Sequence, residues 1–247
     1  MANTLPPLDQ VIQESIHLAG GVELLGDPQT ALSGKAGPVC ELFDLSDEGL
    51  ALLNPEATVA EQISVWREAN LVADARRLLS HALPPRYSLW WALLTLTEAH
   101  RQKPYPAKVI EAVLGVRDFV LDPTEVGRRR CQVLADAADS TTAGGVIGYA
   151  AFLSGGSMAP PECPPVLPKG YLCGRLAGVA VYLASVHFNP AKYKEHLQHF
   201  LDIGLQVANG ELSWPKSQAV AEKEQAEQPL EALVEQVVET IQVGRSR

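Results

Sequence analysis

Apolar residues return every three or four positions along most of this chain, the spacing of one face of an α-helix. Leu8, Val11, Ile12, Ile16 and Ala19 open the pattern, and Gly20-Gly21 supplies a stop. A Gly/Pro-rich stretch over 26–38 reads as a loop, and residues 39–43 and 46–53 read as two short helices. Thr58-Val59-Ala60-Glu61 is a capping box, whose hydroxyl and carboxylate satisfy free amide donors reciprocally, and it opens a helix carrying Val59, Ile63 and Trp66 on one face. Residues 71–82 form the next helix, ended by Pro84-Pro85.

The segment 87–101 is apolar over more than one stripe, with Leu89, Trp90, Trp91, Leu93, Leu94 and Leu96, so it predicts a central helix buried on most sides. Pro104 and Pro106 separate it from a helix over 107–121, and Asp122-Pro123-Thr124-Glu125 stops that helix and caps another over 125–138. Thr141-Thr142 precedes a helix over 143–153. The one long irregular connection is 154–169, with Gly155-Gly156-Ser157 and five prolines, Pro160, Pro161, Pro164, Pro165 and Pro168. Helices over 171–187 and 191–209 follow, parted by Asn189-Pro190. Gly174, Ala177, Gly178, Ala180 and Ala184 line the first of them and would let a neighbouring backbone approach closely. Alternating β-branched runs are scarce. The expected fold is all-α, about ten helices in antiparallel pairs forming one compact domain, plus a C-terminal amphipathic helix.

That last helix differs in kind. Between Ala221 and Thr240 there are six Glu and one Lys, yet Leu230, Leu233, Val234, Val237, Val238 and Ile241 form a clean apolar stripe. The stripe either docks on the chain's own core or lies in a partner's groove. Three regions follow: 1–36 as an N-terminal helix and loop, 37–215 as the helical core domain, and 216–247 as acidic linker and tail.

Composition narrows the setting. The 247 residues are 47% hydrophobic and 20% charged, with a formal net charge of −9. A core of this size needs no disulfide staples, and the acidic balance argues against nucleic acid as a partner. The longest apolar run, 172–186, is interrupted by Arg175 and shorter than the ~20 residues of a bilayer span, so no membrane insertion is expected. Residues 1–10 carry no basic region followed by an apolar run. Cys40, Cys131, Cys163 and Cys173 show no metal-site spacing and read as reduced thiols, mostly buried. A cytoplasmic protein is the expectation.

Candidate chemistry is thin. His196 and His199 share a helical face, but a third metal ligand is missing. Ser154-Gly155-Gly156-Ser157 lacks the strand and second glycine of a nucleophile elbow, and lacks the Lys-Ser/Thr of a phosphate loop. It reads as a helix C-cap and an extended proline segment. Arg128, Arg129 and Arg130 fan over nearly a full turn and are expected to pair with neighbouring acids. Arg86 stands where it would cap a helix terminus or meet a carboxylate, and Trp90-Trp91 reads as core. No nucleophile, base and orienter come together. No catalytic residue, cofactor or metal is therefore assigned.

Several runs nevertheless form a recognisable combination. They are Val-Cys-Glu-Leu-Phe-Asp-Leu-Ser over 39–46, Leu-Leu-Ser-His-Ala-Leu-Pro-Pro-Arg over 78–86, and Trp90-Trp91-Ala92. Asp122-Pro123-Thr124 with Arg128, the run from Phe152 through Ser154-Gly155-Gly156-Ser157 to Pro161, and residues 200–204 with Asn209-Gly210 complete it. The combination, spanning 35–215, resembles an uncharacterised bacterial domain-of-unknown-function family associated with type VI secretion systems. The resemblance implies no catalytic residues. It implies an accessory or effector-loading adaptor whose partner is a secretion-apparatus component or an effector.

Two functions follow as expectations. The first is a non-enzymatic helical interaction module that uses the tail stripe. The second is a small-molecule or anion-binding protein, or a weak hydrolase, whose polar groups at the 154–169 loop would be His81, Arg86, Arg128 and Ser157.

Overall fold

A computed structural model describes residues 26–214. Eleven α-helices occupy the described residues, joined by one 3₁₀ turn and a single isolated bridge between Lys35 and Thr58. The described chain up to Ser213 is one folded unit. The N-terminal apolar pattern at 8–19 and the stripe at 230–241 lie outside the described residues.

The first three helices are short: α1 (Pro28–Ser33), α2 (Ala36–Cys40) and α3 (Asp47–Ala51). The Gly/Pro-rich stretch is thus not the loop the pattern predicts. The Asp27 carboxylate accepts from the Gln29 amide and the Thr30 hydroxyl, and Pro28 sits at the first helical position, where its missing N–H costs nothing. Helix α4 (Val59–Glu68) begins at the complete Thr58–Glu61 capping box. Trp66, fully buried, closes α4 on α3 by donating its indole N–H to the Gly49 carbonyl at 3.1 Å.

The larger helices are α5 (Val72–Ala82), α6 (Pro85–Gln102), α7 (Ala107–Leu121), α8 (Glu125–Ala138), α9 (Ala143–Phe152), α10 (Leu172–His187) and α11 (Tyr193–Ala208). Helix α11 starts two residues later than the pattern predicts, because Pro190–Lys192 forms the 3₁₀ turn. Consecutive helices pack on one another as hairpins, α4 on α5, α7 on α8 and α8 on α9. Helix α6 is central as expected, packing against α7, α9, α10 and α11. Trp91 is fully buried and its indole donates to the Phe200 carbonyl at 2.7 Å, while half-buried Trp90 donates to the Leu212 carbonyl.

Helix α10 touches α5, α6, α9 and α11. Its small residues permit this. A Cβ at Gly174 would fall 2.1 Å from the Ser80 carbonyl oxygen, so only glycine admits α5 at this distance. Each fully buried aliphatic side chain in this core contributes roughly 1.5–3 kcal/mol, and Leu78, Leu79, Leu89, Leu96, Leu197 and Leu201 are all sealed from solvent.

Candidate functional site

The irregular segment between α9 and α10 is held by a charge cluster on the first turns of α8. Thr124 caps α8 by accepting from the Gly127 amide, which places Glu125, Arg128 and Arg129 on adjacent turns. The Arg128 guanidinium, 3% exposed as a residue, meets Glu125 with both forks, Nε to Oε2 at 2.6 Å and Nη2 to Oε1 at 2.7 Å. Its Nη1 donates to the Phe152 carbonyl at the end of α9, and Nη2 also donates to the Ser157 carbonyl at 2.7 Å. Its Cζ lies over the Phe152 ring, 4.7 Å from the centroid. Arg129 adds Nε to Glu125 Oε1 at 2.7 Å and Nη2 to the Ala159 carbonyl at 2.8 Å. Arg130 is exposed.

Gly156 makes the approach possible. Its φ is +65°, and a Cβ there would stand 2.8 Å from Arg128 Nε. Ser157 then closes the loop on itself: its hydroxyl oxygen accepts from the Ala159 amide at 3.1 Å and the Val166 amide at 3.0 Å. The Met158 amide reaches the Val166 carbonyl at 2.8 Å, and a turn at Pro160–Cys163 folds the tip. Everything from Pro160 to Leu167 is exposed, Val166 at 52% and Leu167 at 61%. The segment is therefore a loop with a rigid polar base and an apolar, proline-rich tip. Helix α8 continues the apolar surface, since Val126 and Val133 share its outward face with Arg129 and are 68% and 66% exposed.

Of the four polar residues proposed for a ligand site at this loop, Arg128 and Ser157 come together here. Their groups are already engaged, because four Arg128 hydrogen bonds and both Ser157 contacts are internal. Arg86 serves another end of the fold, donating from Nε to the Val120 carbonyl at 2.8 Å and so capping the C-terminus of α7. His81 packs its ring 4.8 Å from Phe43 and gives its Nδ1 proton to the Arg77 carbonyl at 2.8 Å. Burial holds the His81 pKa below its ordinary value, which leaves the ring neutral. The paired histidines of α11 also diverge: His196 meets the Ser185 carbonyl and His199 meets Glu98. Among the described residues no group of three or more His, Cys, Asp or Glu could hold a metal ion.

The spacing of Glu125 and Arg128 signals an ion pair, but nothing local signals that it is buried or that it grips carbonyls 24 to 29 residues away. Cys40, Cys131 and Cys173 are buried free thiols and Cys163 is exposed at the loop tip. No helix among the described residues is long and apolar enough to cross a membrane.

The model of a family of unknown function, DUF6931, matches residues 63–208. The chain belongs to that family. The match runs from the middle of α4 to the last residue of α11, so it contains the whole clamp and loop, whereas the 39–46 run used in the sequence comparison falls outside it. No curated protein and no solved structure matches the chain.

Proposed function

We propose that this chain is a non-enzymatic helical interaction module in which the Glu125–Arg128–Arg129 clamp presents the 157–169 loop to a protein partner. One observation carries the reading. A buried charge cluster is spent on fixing the main chain of a loop whose tip is apolar, proline-rich and exposed. A loop held in this way loses little conformational entropy on binding. Extended proline segments suit aromatic-lined grooves, and the exposed valines of α8 widen the surface beside the loop base. The family resemblance adds a class of partner, a component or effector of a bacterial type VI secretion system met in the cytoplasm.

Site-specific photocrosslinking in the native cells tests this. A benzophenone side chain is placed at Leu167, at Val126, or at the exposed Glu111 of α7 as control. The expected result is one discrete adduct from Leu167 and Val126, containing a secretion-system protein, and none from Glu111. Adducts no stronger at Leu167 than at Glu111 overturn the proposal. A chain ending at residue 220 shows whether the 230–241 stripe shares in the contact.

A further inference from the structure

Among the described residues two arginines are almost fully buried, and they are treated in opposite ways. Arg128 has a carboxylate and two carbonyls as partners. Arg76, on α5, is 7% exposed and has no hydrogen bond or ion pair to any described residue. Its Nε is sealed from solvent without a partner, whereas the terminal nitrogens are not sealed. The one carboxylate that acts on its charge, Asp74, is already committed to the Ser46 hydroxyl at 2.6 Å and to Arg77 at 2.8 Å. Neighbouring Arg77 repels the Arg76 cation further.

The seat of this guanidinium is specific. It lies on the glycine face of α10, where a Cβ at Gly178 would stand 2.8 Å from Arg76 Nη1 and 2.6 Å from the Ser80 hydroxyl. One turn further along α10 is Tyr182, 40% exposed and close enough for its phenol to act on the arginine's charge. Burial lowers the Arg76 pKa to about 10, so the group is still a cation at neutral pH. A buried cation without a counter-charge is strongly unfavourable, and a planar fork of five donors matches an oxyanion in two-point contact.

We propose that Arg76 anchors a binding site for a small oxyanion, a phosphate or carboxylate group, reached from the Tyr182 edge of the seam between α5 and α10. The site is separate from the loop and does not depend on it.

Thermal unfolding of the full chain, with inorganic phosphate or malonate against sodium chloride at matched ionic strength, tests the assignment. At ten times the dissociation constant the wild type gains about 3–6 °C in Tm. The gain is absent in Arg76→Gln and unchanged in Arg130→Gln, which removes an exposed charge elsewhere. A gain with phosphate assigns a phosphate-type ligand, and a gain with malonate alone assigns a carboxylate. No gain over chloride with either probe overturns the site, as does an equal gain in Arg76→Gln. Should Arg76→Gln fail to fold, Arg76→Lys keeps the charge but loses the fork. Titration calorimetry then reads a drop of about tenfold in affinity, and unchanged affinity overturns the proposal.

Discussion

Glu125→Gln is the sharpest probe of the clamp, because one carboxylate serves both arginines. Its side chain is 12% exposed and that of Arg128 4%, so the pair is screened little by water. The substitution keeps the shape and one acceptor oxygen but turns an NH₂ group toward guanidinium donors. Removing one partner of a buried ion pair costs about 3–5 kcal/mol. The Phe152 and Ser157 carbonyls still receive Arg128, which places the expectation at about 3 kcal/mol, near the lower end of that range. For a chain of this size that is a fall of about 6–12 °C in Tm by circular dichroism. Loss of the clamp also frees the loop, so trypsin cuts after the exposed Lys169 at least about tenfold faster, a local opening that the global transition does not require. The double substitution Glu125→Gln/Arg128→Met removes the stranded charge and costs less than the two single changes together by about 1–3 kcal/mol. A Glu125→Gln variant within 2 °C of wild type (roughly 0.5–1 kcal/mol at this size), with unchanged cleavage after Lys169, would refute the clamp.

Three further outcomes are expected. Gly174→Ala forces α5 and α10 apart, because its Cβ would meet a backbone oxygen at 2.1 Å, and should cost about 1–3 kcal/mol or more in urea unfolding. An aromatic disulfide reagent at pH 8 should modify Cys163 alone in the native chain and all four thiols in denaturant. Burial raises the Cys40 and Cys131 pKa values to about 11 and about 12 and pushes that of Cys173 higher still, whereas Cys163 is exposed. The depressed His81 pKa means that the unfolded chain takes up its proton first. Stability from His81 is then fully present above the unfolded value of about 6.5 and is lost as pH falls from there toward the folded pKa. Urea titrations between pH 7.5 and 5 should show a shallower decline for His81→Gln than for wild type, and identical slopes would remove this account.

Much of the helical frame was legible because its punctuation is local. Thr58–Glu61 and the Asp122–Thr124 stop-and-cap lie within a few residues of the boundaries they set, and α7 and α8 begin and end where the pattern puts them. The glycine face of α10 was equally readable as a surface for close approach. Helix α1 was missed although Asp27-Pro28 is a start signal, because the surrounding glycines and prolines masked a single buried apolar residue in its second turn, Leu32. The clamp was out of reach for another reason. Three adjacent arginines look like a surface fan, and only the tertiary fold turns Arg128 inward while leaving Arg130 exposed. Arg76 carries no local mark either, since its isolation depends on a glycine about a hundred residues later in the chain.

The arginines grip the 154–169 segment by the carbonyls of residues 157 and 159, neither of which is a side-chain atom. A mount that holds only main chain is indifferent to the letters it carries, provided Gly156 and Ser157 keep the entrance. Residues 160–165 are thus free to drift, or to be replaced by design with foreign peptides of equal length, while the helices beneath keep their stability. The fold works in that sense as a socket with an interchangeable tip, so related chains could share the framework and differ in what they hold.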